Sequence, residues 1–407
     1  MSAFASQHPI LLVALPKIVV LLFLLLTSLA YLTWFERKVV AHIQARWGPY
    51  RVGPHGLLQP LADGVKFLFK EDVTPAGADK FVYFLAPFLS LTLAITSIAV
   101  IPFGPREFTM FGQPTRLAIT DLNIGLLVLF AITSMGVYGV ALAGWSSNSK
   151  YPLLGGLRSS AQMVSYELAL TMSVVGVLLM AGTFNLTEIV TAQGGFHWGF
   201  LPRWNFLEGP LPQVIGYFCF FTAAVAETNR APFDLAEAES ELVAGFHTEY
   251  ASFKFAMFFM AEYASMITVS CLAAILFFGG WLSPVPPAAF FWARYIPTGA
   301  FGLAGLALIA HGVRYLTILG RVALPALGLC LCGLALLLVH PGVNALAQGP
   351  FWFLIKVTIF LFIYVWVRGT LPRFRYDQLM AFGWKLLLPL AILNVVLTSL
   401  AIVWTGR

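Results

Sequence analysis

Charge is scarce in this sequence. Only 10% of its 407 residues are charged, where a soluble domain carries roughly 25%. At 59% hydrophobic, the chain cannot clothe a water-facing surface, and no polar stretch is long enough to fold by itself. Cysteine is scarce too. Cys219, Cys271, Cys330 and Cys332 all sit in apolar runs, and no C-x-x-C spacing offers an iron–sulfur or zinc site, so they read as small fillers of helices. The seven histidines are scattered, none at helical spacing from another, which argues against a haem held between two of them. A glycine-rich dinucleotide fingerprint and a P-loop are both missing, so the chain is expected to bind no nucleotide, cofactor or metal of its own. The net charge of +6 is spread over short loops and makes no nucleic-acid surface.

Long apolar runs are what the sequence has in quantity. They lie near 10–35, 81–103, 117–145, 161–183, 211–226, 251–281, 296–313, 322–340, 351–367 and 384–404. About 20 apolar residues cross a hydrocarbon core. The pattern predicts an all-α polytopic integral membrane protein, one domain over 1–407 with about ten transmembrane helices. The first run lacks a small-residue cleavage site and reads as a retained helix rather than a signal peptide. Arg37, Lys38, Arg46, Arg51, Lys66, Lys70, Lys80, Lys150, Arg158, Arg230, Lys254, Arg314, Arg321, Arg368, Arg373, Arg375 and Lys385 fall on one set of connections, 17 of the 24 basic residues. The bias of Lys and Arg places that set in the cytoplasm and both termini on the periplasmic side. Arg314 and Arg321 join it only if 296–340 crosses twice.

The first cytoplasmic loop holds a different element. Leu57, Leu58, Leu61, Val65, Leu68 and Phe69 share one face of a helix, and Gln59, Asp63, Lys66 and Lys70 the other. This is an amphipathic helix in the membrane interface, either a plain anchor or a lid over a cavity reached from the bilayer. Ionisable groups inside spans are costly and point to function. Glu167 and Glu262 lie inside spans four and six, and Glu227 closes span five, whose uncharged run is short for a crossing. In span six, Lys254, Phe258, Glu262 and Ser265 share one face. Six acids, Glu227, Asp234, Glu237, Glu239, Glu241 and Glu249, fall within 227–249 beside Arg230. A helix begun at Pro232 brings Asp234, Glu237 and Glu241 together and turns Glu239 away. Carboxyls that close titrate as a coupled set and pass protons. The alternative is a solvated acidic loop; the interleaved Leu235, Leu242, Val243 and Phe246 favour burial.

These residues also make a recognisable pattern. The stretch 226–235, Ala-Glu-Thr-Asn-Arg-Ala-Pro-Phe-Asp-Leu, with Glu237, Glu239, Glu241 and Leu242-Val243-Ala244-Gly245-Phe246, resembles a signature of the H subunits of the proton-pumping NADH–quinone oxidoreductases, respiratory complex I. Three further segments match in order: Glu36-Arg37-Lys38 with Gln44, Arg46, Gly48-Pro49 and Gly53-Pro54; Gly56-Leu57-Leu58-Gln59-Pro60 with Asp63 and Lys66; and 371–379, Leu-Pro-Arg-Phe-Arg-Tyr-Asp-Gln-Leu. The resemblance covers most of 10–281 and 350–400. It implies that Arg37, Arg46, Asp63, Lys66, Arg230, Arg368 and Arg375 line or support a quinone chamber walled by the interfacial helix. It implies that Glu167, Glu227, Asp234, Glu237, Glu239, Glu241 and Glu262 relay protons toward antiporter-like subunits. Quinone is then the substrate, and FMN and iron–sulfur clusters belong to partner subunits. The implied partners are peripheral quinone-site subunits, small membrane subunits and lipid, in a bacterial inner membrane.

Two departures from the family stand out. Residues 282–349 are longer than the expected connection and read as an inserted transmembrane hairpin with flanking loops, and Tyr50 stands where the family usually has Asn. Two other readings remain open at this point: the equivalent subunit of an ion-translocating hydrogenase or deazaflavin-dependent dehydrogenase, and an independent secondary transporter. Against the transporter, neither the acidic segment nor the first loop is repeated in a second half.

Overall fold

The computed structural model describes residues 9–105, 108–110, 113–234, 243–286, 290–315 and 317–406. Its helices in chain order are α1 (Pro9–Ile43), α2 (Gln59–Phe69), α3 (Lys80–Ile98), α4 (Gly125–Ser146), α5 (Lys150–Ala181), α6 (Leu186–Ala192), α7 (Val214–Glu227), α8 (Ser252–Phe277), α9 (Ile296–Val313), α10 (Ile318–Leu337), α11 (Pro341–Thr370), α12 (Tyr376–Phe382) and α13 (Leu388–Thr405). A π-helical turn, Gly383–Leu387, joins the last two. Two short antiparallel strand pairs, Phe108–Met110 with Gln113–Thr115 and Phe196–His197 with Leu201–Pro202, are the strands among the described residues.

Nine of the helical stretches among the described residues are long and apolar enough to span a bilayer, and α7, at 14 residues, is a shorter apolar tenth. The chain is thus a multi-pass, all-α membrane protein. At 1.5 Å per residue α7 measures about 21 Å, short of a core about 30 Å thick. It stops at Glu227, where the short uncharged run in the sequence places its end. Some boundaries differ from the hydropathy pattern. The run 117–145 begins as loop, with α4 starting at Gly125, while α5 starts at Lys150, well before its apolar run. Hydropathy reports membrane depth, and a helix continues past the interface wherever its backbone bonds persist.

Burial ranks the spans. In α8, 72% of the apolar window is inside the protein, against 11% in α1, so α8 is the central column and α1 a flank. The main core joins α8 to faces of α3, α4, α5, α7 and α11 through residues such as Phe220, Phe277, Leu129, Val174 and Phe353. The pair α9–α10 packs chiefly on itself. A Cβ on Gly305 would sit 2.7 Å from the Gly328 carbonyl oxygen, so the two backbones touch as closely as glycine allows.

The amphipathic helix forms as the sequence predicts, starting at Gln59 behind a 3-10 turn, Pro54–Gly56. None of its residues is buried, and Leu61, Leu68 and Phe69 are exposed, as an interfacial helix requires. It is nonetheless held firmly. Arg37 on α1 pairs with Asp63 at 2.7 Å. The Ser252 hydroxyl donates to the carbonyls of Phe67 and Lys70 at 2.9 and 3.0 Å. Lys254 pairs with Asp72 at 2.8 Å and donates to Thr74 at 3.0 Å.

Candidate functional site

The site follows from the shortness of α7. Where that helix ends, residues 228–234 run as non-helical backbone through the protein interior, a path tolerated in a membrane only where other protein groups satisfy it. Gln162 on α5 donates to the carbonyls of Ala226 and Phe233 at 2.8 and 2.9 Å. Asn229 donates to the Ser159 hydroxyl at 2.9 Å, and Thr228 back to Ala224 at 3.1 Å. So supported, the segment carries Arg230 into the core, where only 6% of it is exposed.

Arg230 bridges two carboxylates. Its Nη1 lies 3.5 Å from Glu36 Oε1 on α1 and its Nη2 lies 3.7 Å from Glu262 Oε2 on α8. The guanidinium sits over the Tyr263 ring at 4.3 Å, and the Tyr263 hydroxyl donates to Glu36 Oε2 at 2.6 Å. Arg368, from the end of α11, closes on Glu36 from the other side. His247 Nε2 is 3.6 Å from Glu262 Oε1. Arg368, Glu36, Arg230, Glu262 and His247 thus form one line of ionisable groups across three spans and the loop before α8. In a low-dielectric interior such charges are stable only in each other's company. A proton gained or lost at one end alters the balance at every neighbour.

Glu262 leads onward. A cavity of about 70 Å³ opens beside it, lined by Glu227, Thr228, Asn229, Ser265 and Ser90 among apolar side chains such as Phe258 and Met163. At roughly 30 Å³ of liquid volume per water, a few molecules fit there, with polar groups to hold them. Glu227 lines the same cavity, and Glu167 on α5 accepts a hydrogen bond from Ser134 on α4. The acids therefore run from the end of α1, through the Arg230 bridge and the cavity, to the middle of the α4–α5 pair.

The candidates named from sequence distribute unevenly. Arg230 and Arg368 belong to the line of ions, Arg37 pairs with Asp63 at α2 in an exposed setting, and Arg46, Lys66 and Arg375 are exposed on the surface. Glu167, Glu227 and Glu262 lie along the cavity path. Asp234 turns instead toward Arg373, at 3.2 Å. Glu237, Glu239 and Glu241 lie outside the described residues. Lys254 shares a helix face with Glu262, yet it serves Asp72 and the interfacial helix. Sequence reasoning missed Glu36, Tyr263 and His247 as members of the site. Glu36 is only 3% exposed but stands one residue past the first apolar run, where an acid reads as a boundary charge. Tyr263 adjoins Glu262 and follows it onto the same buried column; His247 carries no spacing signal.

A line of ionisable groups buried between spans and ending at a small polar-lined cavity, on a polytopic helical scaffold, defines a class: a multi-pass membrane protein with charge held in its interior. The family described as NADH dehydrogenase matches residues 16–399, and the chain belongs to it. It is 53% identical over 395 residues to the first of two NADH-quinone oxidoreductase H subunits of Solibacter usitatus (strain Ellin6076), covering 97% of this chain and 98% of the relative. It is 51% identical over 400 residues to the second H subunit of Koribacter versatilis (strain Ellin345), covering 96% and 97%. The second H subunit of Solibacter usitatus is 41% identical over 401 residues, covering 97% of each chain.

Proposed function

We propose that the chain is the H subunit of an NADH–quinone oxidoreductase, assembled with that complex's other subunits in a bacterial cytoplasmic membrane, both termini on the periplasmic side. With peripheral subunits it encloses a quinone between α1, the tethered α2 and the loop before α8. Electrons reach the quinone from a partner subunit, so this chain carries no redox step. Its own residues hold and move charge. Reduced quinone must take up protons, and the resulting field acts first on Glu36, Arg368 and Arg230 at the chamber's inner edge. Arg230 transmits it to Glu262, and the cavity carries the proton shift to Glu227 and Glu167, facing the antiporter-like subunits.

The single observation that carries this reading is the Arg230 bridge, with Glu36 at 3.5 Å on one arm and Glu262 at 3.7 Å on the other. One guanidinium thereby joins the chamber group to the proton group. The test uses membranes containing the whole complex. Glu262→Gln and Glu227→Gln should assemble and still pass electrons to a hydrophilic acceptor, while quinone-linked proton pumping falls by an order of magnitude or more. Unchanged pumping in both sinks the relay. A photoactivatable quinone should label residues within 37–70; labelling confined elsewhere sinks the chamber.

A further inference from the structure

The turn between α9 and α10 reaches back to the first cytoplasmic loop. His55 stands at the centre of that contact, in the turn just ahead of α2, with a left-handed backbone (φ 53°) uncommon for a side chain larger than glycine. The backbone N–H, the carbonyl and the imidazole Nε2 of His55 are all engaged. Its backbone N–H donates to the Tyr315 hydroxyl at 3.0 Å, and its carbonyl accepts from the Trp34 indole at 3.3 Å. Its imidazole Nε2 shares a hydrogen bond with His311 Nε2 at 2.7 Å, the rings stacked 5.0 Å apart. Tyr50 packs edge-on to His55 at 5.5 Å, and the Tyr315 ring packs edge-on to His55 from its own side at 5.1 Å. On the other side Tyr315 is fixed: its ring lies where a Cβ on Gly320 would fall, and its carbonyl accepts from Arg321 Nε at 2.7 Å.

We propose that His311 and Tyr315 are positioning residues for quinone reduction: through His55 they clasp the first loop and set where α2 stands against the chamber. The inference rests on the chamber reading above. A hairpin needed only to face lipid has no use for two polar rings aimed at one backbone turn, and without its pair such a ring is simply a solvated side chain. The His55 turn lies three residues from the start of α2, whose far end is anchored by Ser252 and Lys254. Releasing the near end leaves the helix pivoting on that anchor. The clasp also places the α9–α10 turn on the same membrane face as the first loop.

The test takes His55→Ala, His311→Ala, Tyr315→Phe and the double His55→Ala/His311→Ala in membranes containing the complete complex, with a short-tailed ubiquinone analogue as substrate. Each single change should raise the quinone KM about fivefold, the factor one lost hydrogen bond commands, with kcat kept. The double should cost no more than either single, since the two rings act through one bond. His311→Gln, which restores a donor and an acceptor, should recover most of the loss. A purely structural hairpin would instead lower complex abundance or kcat and leave KM alone, and that result overturns the proposal, as does a double equal to the product of its singles. Should the alanine variants fail to assemble, Tyr315→Phe, one oxygen atom smaller, still decides. Hydrogen exchange of the peptide around His55 should speed up, and unchanged protection overturns the clasp. Quinone photolabelling of the unmodified complex separates the two levels. Labelling absent from 37–70 removes the chamber itself; labelling present with KM unmoved in the variants removes only the clasp.

Discussion

Replacing Arg230 by Met puts the whole ionic line at risk, and the structure sets the size of the effect. Each arm of the guanidinium stands about 3.6 Å from a carboxylate oxygen. At an effective dielectric constant near 20, that separation corresponds to about 4.6 kcal/mol of attraction per arm before desolvation is charged against it. The loss cannot reach the sum of both arms, because a stranded carboxylate has an exit: it takes up a proton. Protonating an ordinary glutamate at pH 7 costs about 3.7 kcal/mol, which caps the penalty for each acid. Glu36 keeps Arg368 and the Tyr263 hydroxyl, whereas Glu262 keeps His247, a charged partner only when protonated, so Glu262 bears more of the damage. The net expectation is a loss of about 3–5 kcal/mol, the usual result of removing one partner from a buried pair. Thermal unfolding of the purified complex should register it, and the deficit against wild type should shrink on acidification as protons neutralise the stranded acids. Adding Glu36→Gln and Glu262→Gln to Arg230→Met should restore most of the stability and none of the pumping. A variant as stable as wild type with no dependence on pH would refute the claim that Arg230 holds ionised partners. Recovery of pumping in the triple variant would refute the claim that the charges are the signal.

Lys254→Met removes the pair with Asp72, a residue half exposed, so stability should drop by only about 1 kcal/mol. The quinone KM should rise as α2 loosens at its far end, which turnover measurements would detect. Gly305→Val drives a side chain into the Gly328 carbonyl and should cost about 1–3 kcal/mol, read as earlier proteolysis of the α9–α10 turn while electron transfer to hydrophilic acceptors persists. The clasp should also respond to pH. Burial, then His311 and Lys38, hold the His55 imidazole below its ordinary range. The groups facing it are Lys38, Tyr50, His311 and Tyr315. The docked loop then binds fewer protons than the released one, so docking is intact above the ordinary histidine value near 6.5 and weakens as pH falls below it. Wild-type quinone KM should climb on that side, and His55→Gln should flatten the climb.

What was legible in the sequence follows the physics of each signal. Apolar runs report lipid directly, so the spans, their order and the short α7 could be read without coordinates. The amphipathic period fixed α2 for the same reason. Individual acids were harder. Glu167 and Glu262 announce themselves by sitting where lipid would penalise them, whereas Glu36 stands at an interface, where an acid costs nothing unless something else buries it. Only the meeting of α1, α8 and α11 does so, and that meeting is a tertiary fact. Lys254 shows the converse. Its helix face matched that of Glu262, yet a long flexible side chain reached out to Asp72 instead. Tyr50 and the segment 282–349 looked from the sequence like two unrelated departures from the family. In the fold they meet through His55, which packs on Tyr50 and donates to Tyr315.

The short α7 explains why the line of ions lies where it does. A helix long enough to cross would have satisfied its own backbone and presented only side chains to its neighbours. By stopping at Glu227 it leaves the interior backbone beyond it outside the helical ladder; Gln162 meets the Ala226 and Phe233 carbonyls, and Asn229 ties the segment to Ser159. Those bonds fix the path of residues 228–230, and that path delivers Arg230 between Glu36 and Glu262 while leaving Glu227 and Thr228 to wall the cavity. Gln162→Leu puts this to work. It removes no ion and lines no chamber, but it takes the Gln162 donor from the Phe233 carbonyl at about 1–3 kcal/mol and leaves the Ala226 carbonyl with the Asn229 amide alone. If the backbone path sets the bridge, pumping should fall in Gln162→Leu nearly as far as in Glu262→Gln, with electron transfer to hydrophilic acceptors intact. Full pumping in that variant would mean that the acids find their arrangement without the break in α7.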